Sequence, residues 1–367
     1  MKLIFSKILW VLFCIPTLLL ANGPTFKNGK YTKEKAIKKE FSVSNDALLV
    51  INNSYGNLDI TSWDQDKIVI DVVVKVSGND KEKVLEKLDN ISISFESYNK
   101  SQVKARTIFK KNTSSWWSKL MTNWKNSQVN MQINYVVKIP ATNSVNLTND
   151  YGTITLDTIE GDAKINCDYG QVLLNNLLGD NNTINIDYTH NSVIKYMKNG
   201  TINADYSDFD LEKAGTVKLV ADYSQSHITT IEDLTYSCDY GSLKIKKGNT
   251  INGNGDYLNT KITSVSNSLK INSDYGSLKI YNLEPTINEV AIKTSYVGVD
   301  IGFDPTCNFD FSIKTSYGGI KLDEDITLNV KDRSSHSKHY QGFYGTSDTN
   351  NNITITSSYG GVSLKKK

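Results

Sequence analysis

The chain has little cysteine, histidine, arginine or proline, no marked net charge, and no long apolar run beyond its first 21 residues. Each shortage closes off a class of protein. Of the four cysteines, Cys14 falls in the N-terminal apolar run. The other three, Cys167, Cys238 and Cys307, are an odd and widely spaced set, which is no disulfide scaffold. Four scattered histidines and scarce arginine argue against a polysaccharide lyase or hydrolase, where carboxylates, bases and arginines must converge in a groove. Without Lys2 and Lys7, Lys plus Arg is 39 and Asp plus Glu is 39, so nothing electrostatic favours nucleic acid or an acidic membrane surface. No segment after residue 21 is apolar enough to span a bilayer as a helix.

What is present begins with an export signal. Lys2 and Lys7 precede the run Ile8 to Ala21, and Leu19 and Ala21 offer a small-residue cleavage position before Asn22. The run is short and broken by Pro16, so a signal peptide over residues 1–21 is expected in place of an anchor. Cys14 lacks the small residues that precede a lipid-modified cysteine.

The dominant signal is a repeat. Asp-Tyr or Ser-Tyr, often followed by Gly, recurs at Tyr55, Tyr151, Tyr169, Tyr188, Tyr206, Tyr223, Tyr240, Tyr257, Tyr275, Tyr296, Tyr317 and Tyr359. These are 12 of the 20 tyrosines, and from Tyr151 to Tyr317 they are spaced by 17–21 residues. Four positions before the Tyr stands an apolar residue, as in Ile165, Ile184, Ile202 and Leu219. Two before it stands a small one, as in Cys167, Ala204, Ala221 and Cys238. Three and five after it apolar residues return, as in Val172/Leu174 and Leu243/Ile245. Alternation on each side means a strand on each side. The inward parity changes across the Tyr, which no continuous strand allows, so the chain must turn there. Gly is the residue expected to permit that corner. The predicted fold is all-β: a β-solenoid, or single-stranded β-helix, with coils of about 17–21 residues stacked so that each strand pairs with its equivalent in the next coil.

The series is interrupted once. Residues 22–46 read as a leader, 47–63 as a first coil, 64–140 as an insert and 141–367 as the repeats. The insert carries a long strand at Lys67–Val76, a short helix over 80–88, further strands and the segment Trp116-Trp117 to Trp124. A small α+β unit of this kind is expected to cap the N-terminal end, where an open stack would expose unpaired strand edges. At the other end, Tyr317 to Tyr359 reads as a coil enlarged by a polar loop holding His336 and His339, and Lys365 to Lys367 reads as a charged stop.

The run Asn53 to Trp63, the Val/Ile-rich strand and Lys/Glu helix after it, and the Asp-Tyr-Gly coils together resemble the bacterial putative adhesin family of exported β-strand-repeat proteins. The resemblance covers residues 45–367. It implies an envelope or surface protein with a solenoid body. No sorting domain is seen after the last coil, which leaves the periplasm open beside the cell surface.

Three constellations could carry chemistry. Asp150, Asp168, Asp187, Asp205, Asp222, Asp239, Asp256 and Asp274 precede the tyrosines in consecutive coils and form a predicted outward column. Such a column either takes cations, Ca²⁺ being the natural one, or has each carboxylate accept a backbone N–H at the corner. Ser54, Ser295, Ser316 and Ser358 hold the same place in other coils, and Ser is a poor Ca²⁺ ligand. No cofactor is otherwise implied. The tyrosines, placed inward or at the corner, form either a packed ladder or a sugar-binding strip. Trp116, Trp117 and Trp124 make either an exposed contact patch or a cover for the stack. Cys167 and Cys238, four coils and roughly 19 Å apart at one strand spacing per coil, are expected as buried free thiols. The leading functional expectation is a non-catalytic adhesin binding a glycan, surface or protein. A periplasmic structural or sensory protein is the alternative.

Overall fold

The computed structural model describes residues 26–110 and 129–367. The predicted signal peptide and Trp116, Trp117 and Trp124 lie outside the described residues. Among the described residues the fold is all-β, with 23 strands joined in one sheet and a single helix. None of the helical structure is long and apolar enough to cross a membrane.

The first elements are β1 (Tyr31–Ser42), β2 (Leu48–Ser54), β3 (Leu58–Trp63), β4 (Lys67–Gly78), α1 (Lys81–Asp89), β5 (Ile91–Tyr98), β6 (Gln102–Phe109) and β7 (Val129–Pro140). β1, inside the leader, runs antiparallel to β4 from Tyr31 opposite Gly78 to Ser42 opposite Lys67. β4 pairs antiparallel with β7, and β7 pairs parallel with β3. β6 pairs parallel with β2, with β5 antiparallel beyond it. The 67–140 strands therefore lie on one side of β2 and β3, while the next strands, Ser144–Asp150 and Thr153–Leu156, lie on the other. α1 starts where the Asp80 carboxylate accepts the N–H groups of Glu82 and Lys83, the ordinary N-cap arrangement, and it buries Val84.

From Ser144 to Phe303 the ladder is parallel. The Asp before one Tyr pairs with the Asp before the next, so that Asp150, Asp168, Asp187, Asp205, Asp222 and Asp239 stand in successive register. The same register puts Leu147, Ile165, Ile184, Ile202 and Leu219 in one fully buried row. Burying each such side chain contributes about 1.5–3 kcal/mol. The row is long because each parallel strand repeats it one strand spacing on.

The corner differs from the expectation in a way that matters for the site. The left-handed residue is the Tyr: all twelve tyrosines have φ between 49° and 65°, while of the glycines that directly follow them only Gly276 has a positive φ, 155°. Gly is needed next to them for another reason. A Cβ on Gly152 would lie 1.9 Å from the Gly56 carbonyl oxygen, and one on Gly170 would lie 2.0 Å from that of Gly152. The inward residues around a typical corner such as Tyr206 are Ile202, Ala204, Ser207, Phe209 and Leu211, so Asp205 and Tyr206 stand side by side outside.

The far end is also ordered differently. The strand Asn352–Ser358 inserts between Glu289–Phe303 and Phe309–Ser316, parallel to both. Stacking order there is Tyr296, Tyr359, Tyr317. The polar stretch with His336 and His339 is no loop: Thr327–Arg333 and Ser337–Tyr344 form an antiparallel hairpin that pairs with Phe309–Ser316. Lys365 and Lys366 therefore do not terminate the stack, because Val362–Lys366 lies between Glu289–Phe303 and Ile320–Leu322.

Candidate functional site

The tyrosine corners build one continuous surface feature. Each ring stacks on the next, with centroids 4.7–5.2 Å apart and planes within 2–8° of parallel. Eleven steps of one strand spacing make a row on the order of 50 Å long. At one end the Phe109 ring meets Tyr55 edge-on at 6.2 Å. At the other, the His336 ring covers Tyr317 at 4.9 Å. Eleven of the rings are exposed, from 37% at Tyr151 to 59% at Tyr317.

The backbone fixes this row. The Tyr206 N–H donates to the Asp222 carbonyl one coil on (3.0 Å), and Tyr223 and Tyr240 donate in the same way to Asp239 and Asp256 (2.9 Å each). After Tyr206 and Tyr223 the next residue is a buried serine, and the two serines tie the corners together. Ser224 Oγ accepts from the Ser207 N–H (3.0 Å) and donates to the Ala204 or Asp222 carbonyl (2.9 and 2.8 Å). A bulky residue with positive φ carries a backbone penalty on the order of 1 kcal/mol or more, and it persists only where its surroundings over-determine it. Repeated twelve times, the choice of Tyr points to a use for the ring at that place.

The eight predicted aspartates lie beside the row at half-buried or exposed positions. Some bond from coil to coil: Asp222 Oδ1 accepts the Asp239 N–H (3.2 Å), Asp239 Oδ1 accepts the Asp256 N–H (2.9 Å), and Asp150 Oδ2 accepts from Ser54 Oγ (3.0 Å). Burial and the flanking aspartates Asp187 and Asp150 raise the Asp168 carboxyl above its ordinary value. Burial and Asp205 do the same to Asp187. Among the described residues no three His, Cys, Asp or Glu side chains group so as to hold a metal ion. Two positions before the aspartates runs an amide ladder, in which Asn185 donates to Asn166 and Asn203 to Asn185 (2.7 Å each). On the other flank His190 Nδ1 meets Asp208 (2.7 Å) and His227 Nδ1 meets Asp210 (3.1 Å).

The remaining residues singled out in the sequence are structural in their contacts. Cys167, Cys238 and Cys307 are buried free thiols. Burial pushes the Cys167 and Cys238 thiols up to about 12, which leaves them protonated and unreactive. His339 Nε2 bonds Ser312 Oγ at 3.2 Å, while His336 sits on the tyrosine row, so the two do not form a ligand pair. The exposure of the tyrosines was missed because the parity argument skipped the residue after them. That residue is small in most coils, which marks it as inward and leaves Asp and Tyr together outside.

No family model matches the chain. No curated protein matches it either. Among solved structures it is similar to a putative cell adhesion protein from Clostridium sporogenes, at 12% identity over 92% of this chain and 100% of that one, with a TM-score of 0.18. It is similar also to a putative adhesin from Bacteroides fragilis, at 10% identity over 91% and 97%, with a TM-score of 0.23. A putative adhesin from Parabacteroides distasonis is similar at 13% identity over 91% and 97%, with a TM-score of 0.26. Scores of this size carry no argument about fold or function.

Proposed function

We propose that this protein is a non-catalytic, exported β-solenoid that acts as an adhesin, holding a glycan, surface or protein partner along its tyrosine-bearing edge. In this reading residues 47–63 are the first coil, 64–140 cap the N-terminal end, and the later coils are the body. The observation that carries it is the row of exposed rings, each held at a left-handed backbone position that a core-packing role does not require. The carboxylates support a binding role in place of catalysis, since they run in a column where a hydrolytic site needs them opposed across a substrate. The signal-like first 21 residues support export. The aspartate column and Trp116, Trp117 and Trp124 are proposed as secondary contacts of the same partner.

A second reading has its own support. The stacked rings also join coil to coil, which suits a periplasmic structural or sensory protein with no adhesive role. Protease treatment of intact cells of the source organism separates the two. Release of peptides from this chain while periplasmic marker proteins stay whole supports surface display. Release only after the outer membrane is opened removes the adhesin reading.

A further inference from the structure

The faces of the tyrosine rings are not available to a partner. From Tyr169 to Tyr275 each face lies parallel to a neighbour at 4.8–5.1 Å. Inserting a sugar or aromatic ring between two others requires about 7–8 Å, two carbon–carbon contact distances. The row therefore cannot work as the flat platform on which a pyranose stacks. What it offers outward is a line of ring edges, about half exposed from Tyr169 to Tyr275.

Ring edges carry the positive side of the aromatic quadrupole, and they prefer the negative π-face of another ring, in the edge-to-face arrangement. A row of edges on one pitch suits a ligand that is planar, aromatic and long enough to cross several of them. The surroundings add a sign. Asp168, Asp187, Asp205, Asp222, Asp239 and Asp256 line the row. Residues 141–240 contain 15 Asp plus Glu against 5 Lys plus Arg, whereas residues 241–280 contain 2 against 6, so the negative stretch ends at about Tyr240. A cation gains there and an anion does not.

We propose that the tyrosine edge from Tyr169 to Tyr240 binds elongated, planar, cationic aromatic molecules, laid face-down across the ring edges with their charge toward the aspartate column. This rests on the reading of that edge as a binding surface and names the chemistry it selects.

The probe is thioflavin T, a planar benzothiazolium cation, titrated into the full mature protein and followed by fluorescence and equilibrium dialysis. Saturable binding of a few dyes per chain is expected. The variant Tyr206→Asn/Tyr223→Asn/Tyr240→Asn removes three rings but leaves a residue suited to positive φ, and should bind about tenfold more weakly or worse. The variant Asp205→Asn/Asp222→Asn/Asp239→Asn keeps every ring. It should weaken the cation and abolish its salt dependence while leaving a neutral dye of the same shape unaffected. Circular dichroism establishes that each variant is folded. Absence of saturable binding, undiminished binding in a folded tyrosine variant, or unchanged cation binding in the aspartate variant each overturns the proposal; the last decides the matter even if the tyrosine variant fails to fold. If dye binding is absent but the protein still adheres to cell-envelope fractions, this inference falls and the adhesin reading stands.

Discussion

At the scale of single residues, the glycine after a corner tyrosine is fixed by clearance and not by conformation. A Cβ at Gly170 would strike a main-chain oxygen of the neighbouring coil, which has no room to retreat. Gly170→Ala should destabilise by about 1–3 kcal/mol. Gly319→Ala, with nothing within 4 Å of its Cβ, should stay within about 0.5 kcal/mol of wild type. Chemical denaturation of both variants checks the contrast, and equal effects would contradict it. The aspartate column makes a second residue-scale prediction. Asp187 is raised by burial and by Asp205. A carboxyl raised on folding stabilises the fold while protonated, below its unfolded pKa, and this stabilisation is lost as pH climbs through the raised folded value. Asp187→Asn should therefore melt slightly higher than wild type at about pH 7, by less than about 1 kcal/mol since the group is largely exposed. The gain should vanish near pH 3, below the unfolded Asp value of about 3.9. A gain that persists at the acid end would show that charge is not its source. The sequence made Asp and the inward Ile/Leu rows legible through their period. It left the Tyr environment ambiguous, because a single left-handed residue shifts parity without changing composition.

At the scale of elements, the strands were read where alternation is strong. β4 starts at the predicted Lys67 and runs two residues past Val76, and α1 starts and ends one residue later than expected. β1 was not read, because its sequence Tyr31–Ser42 is dominated by Lys and Glu, with few apolar residues to mark a face. Such a charged strand suits a sheet edge, where lysines discourage further pairing. The insertion of the last coil between two earlier ones was illegible, since all three present the same apolar register and any order satisfies the pattern. Pairing identity settles it. Ser295 lies opposite Ser358, and Ser358 opposite Ser316. Adjacent strands stand about 4.8 Å apart, within disulfide reach, whereas two steps of about 9.6 Å are not. On mild oxidation, Ser295→Cys/Ser358→Cys should cross-link and Ser295→Cys/Ser316→Cys should not, as read by peptide mass mapping. The opposite pattern would restore sequential order.

At the scale of the whole molecule, one repeated corner produces a core, a ladder and a surface at once. The inward row buries apolar side chains, the main chain pairs coil to coil, and the outward remainder aligns rings and carboxylates over the same length. Antiparallel pairs lie beyond β2 and β3, β4 with β7 and β5 with β6, and the antiparallel Thr327–Tyr344 hairpin pairs with Phe309–Ser316. The function argued above depends on the outward row being a contact surface and not only a staple. The most direct measurement is adhesion of the labelled protein to the polysaccharide and protein fractions of the source organism's envelope, comparing wild type with folded Tyr206→Asn/Tyr223→Asn/Tyr240→Asn. The account predicts that wild type adheres and that the variant, with its secondary structure retained, loses most of that adhesion. Equal adhesion by a fully folded variant would contradict it and return the tyrosine row to a purely structural role.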